Sequence, residues 1–346
     1  MKDNVVRRIV DNALAGEELK RDEIALLFEI DCHSDESKYI QAASRQLSQR
    51  VSHHMAEIHC HVGINLGPCP HNCKWCTFAA VNKVFPKASV LPLEEIIKRC
   101  VKFEAEGVNA IYLVTTGAYP TKGLIEIIRE VRNNLKSETI LIANMDDFNL
   151  EEAMKLKRAG LNGAYHAIRF REGVESSIPV EKRFATMRAI HKSGLALGTC
   201  VEPIGPEHTT QELVDATVMA REIGAAFSGL MKRIGIPGTE VGNRGMVEEE
   251  RLAHVLSVIR LATPHHMIGT CWHEPSVAGP TVGANLQWAE TGSSPRDTHE
   301  DCETTRGRSV AEIRKIYQDA GWKVLEGPSH IWTSWHNYKG FLSSGF

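Results

Sequence analysis

A closed (β/α)8 barrel of the TIM type, preceded by a helical leader and followed by an extension, is the fold this sequence predicts. From Ile58 onward, apolar strand-like runs alternate with amphipathic helical runs, the pattern of βα units on a parallel sheet. Eight strand-like runs can be picked out, the number a closed barrel uses. The first of them leads into Gly67-Pro-Cys-Pro-His-Asn-Cys-Lys-Trp-Cys-Thr-Phe-Ala, where an open doubly wound sheet would need a glycine-rich dinucleotide turn.

Residues 1–56 form the leader. Val5, Ile9 and Ala13, then Ile24, Leu27 and Phe28, then Ile40, Ala43 and Leu47 recur at helical spacing, with breaks at Gly16 and around Asp31 to Ser37. Residues 57–290 form the barrel. Its strands are expected at Ile58–Leu66, Ala110–Thr115, Thr139–Ala143, Gly163–Ala167, Ala196–Val201, Ala226–Met231, Met267–Cys271 and Ala284–Trp288. Helices are expected between them, at Leu93–Glu106, Lys122–Leu135, Leu150–Ala159, Val180–Ser193, Thr210–Ile223 and Val247–Ala262. Ile96, Ile97, Cys100 and Phe103 show the amphipathic spacing. Residues 291–346 turn polar and turn-rich, then carry a helix at Ser309–Ala320 and a short strand at Trp322–Leu325.

The chain of 346 residues has 40 Lys and Arg against 43 Asp and Glu, a formal net charge of −3. No basic field is present to attract nucleic acid, so a small-molecule substrate fits better. No apolar run approaches the roughly 20 residues that cross a bilayer, and Met-Lys-Asp-Asn-Val lacks a secretory apolar core. A cytoplasmic protein is expected. An odd cysteine count of nine argues against a disulfide framework.

Cys69, Cys73 and Cys76 have the spacing C-x3-C-x2-C on one loop, so three thiolates can converge on one thiophilic centre. A structural zinc is the alternative, with His59, Cys60, His61 or His71 as fourth ligand, although no second ligand pair of zinc-site spacing follows. In barrels the chemistry sits at the C-terminal ends of the strands, where this loop emerges.

The loop, with Trp75 just before its third cysteine, resembles the signature of the radical S-adenosylmethionine (SAM) enzymes. The resemblance implies a [4Fe-4S] cluster on Cys69, Cys73 and Cys76, its fourth iron left open to chelate SAM. One electron then cleaves the sulfonium and releases a 5′-deoxyadenosyl radical. The leader around Leu19-Lys-Arg-Asp-Glu-Ile-Ala-Leu-Leu is similar to the helix laid over the barrel bottom in the biotin synthase group; the residues themselves read as an ordinary capping helix pair. Gly283-Ala-Asn-Leu-Gln-Trp, Ser294-Pro-Arg and the closing Ala320-Gly-Trp resemble the carboxy-terminal region of biotin synthase, the maturase HydE and thiamine-pathway radical enzymes. The last twenty residues, with Trp332, Trp335 and Phe346, match none of these.

The same resemblance proposes SAM contacts. Trp75 and Phe78 would flank the adenine or pack under the loop. Thr116 and Gly117 end the second strand where relatives carry a Gly-Gly-Glu-like turn; the acidic residue is missing, and an ordinary βα turn is the alternative. Arg169 and Glu172 after strand four, and Arg183 in the next helix, suit the methionine carboxylate and ribose by charge-assisted hydrogen bonds, or form surface ion pairs. Strand five resembles the adenine-contacting strand but departs from its pattern by carrying Cys200 and Glu202.

Against the resemblance, two ligands of biotin synthase's sulfur-donating cluster fall at Gly198 and Gly269, and its other two cysteines fall in Ala110–Thr115 and Thr139–Ala143, which hold none, so that site is absent in its usual form. Cys200 and Cys271 stand two residues beyond the first two positions, on the same inward faces. They are expected either to hold an auxiliary iron–sulfur cluster, with Cys60, Cys302 or a nonprotein ligand, or to be small buried hydrophobes. Lys232, Arg233 and His273 are candidates for an acidic substrate group, with at most one of Lys232 and Arg233 pointing inward. The implied activity is hydrogen abstraction from a small substrate in cofactor or amino-acid biosynthesis, with flavodoxin or ferredoxin as reductant. Sulfur insertion, carbon-skeleton rearrangement and metallocofactor maturation are its versions, and a noncatalytic iron–sulfur or zinc scaffold is the reading from another class.

Overall fold

The computed structural model describes residues 2–337, so Phe346 and the rest of 338–346 lie outside the described residues. Nine strand segments make the ring of one curled sheet: β1 Met55–Gly63, β2 Ala110–Val114, β3 Ile140–Asn144, β4 Gly163–Tyr165, β5 Ala196–Gly198, β6 Val201–Ile204, β7 Phe227–Lys232, β8 Gly269–Trp272 and β9 Leu286–Gly292; a tenth, β10 Lys323–Val324, within the expected Trp322–Leu325, pairs off the ring with the start of β1. Their order is β5-β4-β3-β2-β1-β9-β8-β7-β6, with every neighbouring pair parallel. The two ends of that path are consecutive pieces of one strand, interrupted at Thr199 and Cys200. Ala226 N also donates to Leu197 O across the join. The ring therefore closes as the expected barrel.

Strand alternation builds two cores. Ile111, Leu113, Leu141 and Ala143 face the surrounding helices, while Ala110, Tyr112, Val114, Ile140 and Ile142 face the barrel axis. The helices of the layer are α4 Leu93–Ala105, α5 Thr121–Asn134, α6 Leu150–Arg158, α7 Val180–Ser193, α8 Thr210–Glu222 and α9 Glu249–Ala262, within a residue or two of expectation at most ends. Asn149 with Glu152 and Thr209 with Glu212 form capping boxes that set the starts of α6 and α8.

The first strand stops at Gly63 rather than Leu66. Asn65 and Leu66 turn away to pair with Ser89 and Val90, and the Asn65 carboxamide bonds both the Thr116 amide and its hydroxyl, each at 2.9 Å. That pair of bonds hangs the whole 67–88 loop over the end of β2.

The leader forms three helices, Lys2–Ala15, Arg21–Phe28 and Asp35–Val51, but not where the resemblance placed them. They share a core with the flank of α8 and α9, where buried His254 bonds the Ser37 hydroxyl and the Leu27 carbonyl at 2.7 and 2.9 Å. The barrel bottom is instead filled by the helix His330–Asn337, from the stretch without a recognisable motif. Trp332, fully buried, enters the axis and donates from Nε1 to the Tyr112 hydroxyl at 3.1 Å. Below it, buried Glu57 accepts from the Ile331 amide and the Ser329 hydroxyl. Gly163 and Gly198 make room: a Cβ on either would lie 2.8 or 2.9 Å from the Trp332 ring.

Candidate functional site

At the top of the barrel, Cys69, Cys73 and Cys76 line one cleft with Trp75, Phe78, Gly117, Arg169 and Arg183, enclosing about 930 Å³ with its open mouth. The loop is tied from several sides. Cys69 N donates to Phe78 O at 2.7 Å, Asn82 Nδ2 donates to the carbonyls of Lys74 and Cys76, and Thr77 N donates to Pro295 O at 3.0 Å. The last bond brings the Ser294-Pro-Arg segment onto the cysteine loop. Burial pushes the Cys73 thiol up to about 12 and the Cys76 thiol up to about 11. Burial also raises the Cys69 thiol, opposed by the amides of His71 and Gly117 that point at its sulfur. Without a metal all three are protonated at neutral pH, and a bound metal would hold them as thiolates.

The four residues that could complete a zinc site are engaged elsewhere. His59 bonds Tyr112 and Glu57 deep in the barrel, and Cys60 faces the helix layer. His61 bonds Ser293 O, and His71 Nε2 bonds Asp146 at 2.7 Å. The donor set on this loop is therefore three thiols, which suits a cluster with one open iron better than a closed four-ligand zinc.

Gly117 lies against this set. A Cβ there would stand 2.2 Å from His71 Cδ2 and 3.3 Å from Cys69 Sγ, so only glycine allows the turn to come this close. Beside it the Thr115 hydroxyl is buried, lines the cleft and has no hydrogen-bond partner among the described residues.

The charged residues divide. Arg183 lines the cleft and pairs with Asp147 at 3.3 Å and Glu172 at 3.4 Å. Glu172 does not line the cleft: it accepts from Ser176 and Arg183 behind it. Glu202 sits deeper, pairing with Arg169 at 3.1 Å and accepting from the Tyr165 hydroxyl at 2.6 Å. Phe78 packs against Phe85 under the loop, the packing alternative. Lys232 and Arg233 both line the cleft, but the Arg233 guanidinium is committed to Glu207 and to the carbonyls of Val241 and Gly245.

An inner chamber of about 570 Å³ continues the cleft toward the axis, sharing Val114, Asn144, Arg169, Met231, Pro295 and Arg296 with it. His273 and Glu202 line this chamber, with Tyr112, Tyr165 and Trp288 as its aromatic walls. Burial, reinforced by Arg296, holds His273 down at about 3, so its imidazole is neutral. Cys200 and Cys271 face the axis as expected and are fully buried. The partners suggested for them are not there, since Cys60 is in the outer layer and Cys302 groups with Glu290 and Asp297.

Sequence reasoning gave no role to Asp146, Asp147 and His166. Asp147 receives His166 Nε2 at 2.9 Å and the Thr186 hydroxyl at 2.8 Å, and Asp146 orients His71. The signal available was their position: two consecutive carboxylates just past the end of β3, at the reactive end of the barrel.

Glu274, buried, pairs with Arg296 at 2.6 Å and Arg306 at 3.0 Å and pins the Ser294-Pro-Arg segment. Burial alone would raise its pKa, but the two guanidiniums hold it down at about 2 against an ordinary 4.5. A depressed carboxylate stabilises the fold above its unfolded pKa and loses that contribution as pH falls toward the folded value. The loss amounts to roughly 3 kcal/mol between about pH 5 and pH 2. Urea midpoints measured across that range should fall more steeply for the wild type than for E274Q.

Comparisons with known proteins place the cleft in context. The radical SAM superfamily model matches residues 67–231. A biotin synthase of Acaryochloris marina is 26% identical over 273 residues, covering 75% of this chain and 76% of that protein. Biotin synthase 2 of Corynebacterium diphtheriae is 22% identical over 341 residues, covering 94% and 98%. Among solved structures, methylornithine synthase PylB superposes with a TM-score of 0.74 at 14% identity, over 93% of this chain and 98% of that one. The hydrogenase maturase HydG of Carboxydothermus hydrogenoformans gives 0.74 at 16% identity, over 97% and 81%.

Matched domain, three-cysteine loop and barrel together make this chain a radical SAM enzyme. Within that class its sequence relatives are biotin synthases, and it shares its fold with methylornithine synthase PylB and HydG. A [4Fe-4S] cluster and SAM are the cofactors this membership implies, and three thiols without a fourth protein ligand, beside a glycine cradle, fit them.

Proposed function

We propose that the enzyme reductively cleaves SAM at a [4Fe-4S] cluster held by Cys69, Cys73 and Cys76, and uses the radical to abstract hydrogen from a small acidic substrate in the inner chamber. When bound, the cluster supplies the electron that breaks the sulfonium bond. The chain's own residues do the rest. Gly117 lets the backbone at the end of β2 approach the methionyl amino group, and Thr115 offers it an unpartnered hydroxyl. Arg169 and Arg183 stand where a carboxylate and a ribose would reach them, and Trp75 borders the adenine side. Lys232, on the cleft where the chamber opens, would meet an acidic group at the outer end of the substrate, and the aromatic chamber walls limit the water around the radical.

The observation that carries this reading is the continuity of the two cavities through Arg169: a species formed over the cysteine loop lies next to the aromatic-walled chamber and reaches it past shared lining residues. Of the possible outcomes, sulfur insertion is the one supported by the biotin synthase relatives. A flavodoxin or ferredoxin would deliver the electron in the cytoplasm; no helix among the described residues is long and apolar enough to cross a membrane. Anaerobic incubation with dithionite and SAM should yield 5′-deoxyadenosine, and small carboxylic acids that fit the chamber should stimulate it. A cluster-loaded protein that yields none would overturn the reading.

G117A tests the cradle. The added methyl would push His71 from Asp146 and crowd Cys69, so SAM affinity should fall by at least about tenfold, about 1.4 kcal/mol, with little change in melting temperature. Isothermal titration of the reconstituted enzyme measures the first and calorimetry the second.

A further inference from the structure

We propose that Cys200, Cys271 and His273 form a second metal site, separate from the cysteine loop, that takes one thiophilic divalent ion of the Zn(II), Co(II) or Fe(II) kind. Cys200 Sγ, Cys271 Sγ and one ring nitrogen of His273 all lie within 4.8 Å of one another, and Cys200 Sγ stands 3.7 Å from His273 Nε2. A tetrahedral ion with bonds of about 2.3 Å to sulfur and about 2.0–2.1 Å to nitrogen has a sulfur–nitrogen edge of about 3.6 Å. The observed edge is that length.

The backbone explains how two cysteines from non-adjacent strands come together. Val201 is in register with Leu230, and Cys271 is in register with Gly229, so Cys200, Gly229 and Cys271 form one row across three strands. The middle residue has no side chain. A Cβ at Gly229 would lie 2.7 Å from Cys271 Sγ, and its φ of +149° is one that other residues rarely adopt. The same Cβ would strike the Cys271 backbone first, its carbonyl oxygen at 2.2 Å and its nitrogen at 2.5 Å, so glycine is set here by the close approach of β8, and the space beside the Cys271 thiol follows from it. His273 follows β8 directly, and its ring lies flat on Trp288 at 4.3 Å and 5°, which holds its edge toward Cys200. Burial of two small hydrophobes accounts for the cysteines alone. The imidazole nitrogen set against Cys200 Sγ adds a third ligand atom to that pair, all three within 4.8 Å of one another.

His273 also borders the inner chamber, so the fourth coordination position of the ion faces the space assigned to substrate. Two thiolates and one imidazole with an open position form a ligand set that binds and polarises a sulfur or oxygen ligand. The assignment differs from the auxiliary cluster expected from the biotin synthase resemblance. It also stands independently of SAM cleavage.

The test uses Co(II) on the C69A/C73A/C76A variant, which lacks the primary cluster ligands. One Co(II) per chain should bind with an intense thiolate-to-metal charge-transfer band and d–d bands of tetrahedral strength. The band should disappear when C200S/C271S is added, and binding should weaken at least tenfold with H273A. A folded triple variant without the band, or a band that survives C200S/C271S, would overturn the site. Should the triple variant fail to fold, the wild-type holoenzyme answers the same question. Its oxidised cluster is silent in electron paramagnetic resonance, so a high-spin Co(II) signal that is present in the wild type and absent from C200S/C271S supports the site. Its absence from the wild type refutes it.

Discussion

Cys73→Ala is expected to reduce 5′-deoxyadenosine formation to the level of a no-enzyme control while leaving the barrel folded. Cys73 sits mid-loop and largely buried, and the loop is held by backbone bonds at Cys69, Cys76 and Thr77 that do not involve its sulfur. Removing the thiol costs the fold little. It costs the metal centre a ligand that nothing nearby replaces, because His71 is held by Asp146 and Cys60 lies across the sheet. Iron content should fall in parallel with activity, and circular dichroism should not change. A C73A protein that retained SAM cleavage would mean that the electron enters by another centre.

Trp332→Ala is expected to cost about 3–5 kcal/mol of stability, the range for truncating a large buried aromatic. The ring is fully buried against Phe227, 5.6 Å away and edge-on, and against Tyr112, whose hydroxyl accepts its N–H. Gly163 and Gly198 leave a hollow shaped for it, and neither can close over the cavity that alanine would open. W332F should recover only part of the loss, since it keeps an aromatic ring but gives up the hydrogen bond, worth about 1 kcal/mol, and the indole edge that lies against Gly163 and Gly198. Equilibrium urea denaturation of the three proteins measures this, and an unchanged midpoint for W332A would show that the helix does not close the barrel.

The two predictions separate what was legible in the sequence from what was not. The cysteine loop was legible because its ligands lie within eight residues and their spacing carries the chemistry without help from the fold. The strands and helices were legible because alternation and helical spacing are local patterns, and most of their ends fell within a residue or two.

The barrel plug was not legible, because its signal is spread over glycines on β4 and β5 and a tyrosine on β2, more than a hundred residues from Trp332. The resemblance misplaced the leader for a related reason: amphipathic helices state which face is buried but not against what. Arg169, Arg183, Glu172 and Glu202 were all found, but burial and pairing decide their parts. Glu172 pairs with Arg183 from behind, whereas Arg169, paired with Glu202 of the inner chamber, borders both cavities. His273 was read as a substrate contact by position alone. Its approach to Cys200 depends on the break between β5 and β6 and on the close approach of β8 at Gly229, neither of which local periodicity reveals.

Electron paramagnetic resonance of the anaerobically reduced enzyme, with and without SAM, tests the open coordination position most directly. SAM should shift the signal of the reduced [4Fe-4S] centre, and SAM labelled with 15N at the methionyl amine should add a hyperfine coupling that C73A lacks. A signal indifferent to SAM, or a nitrogen coupling already present without it, would mean that a protein side chain holds the fourth iron.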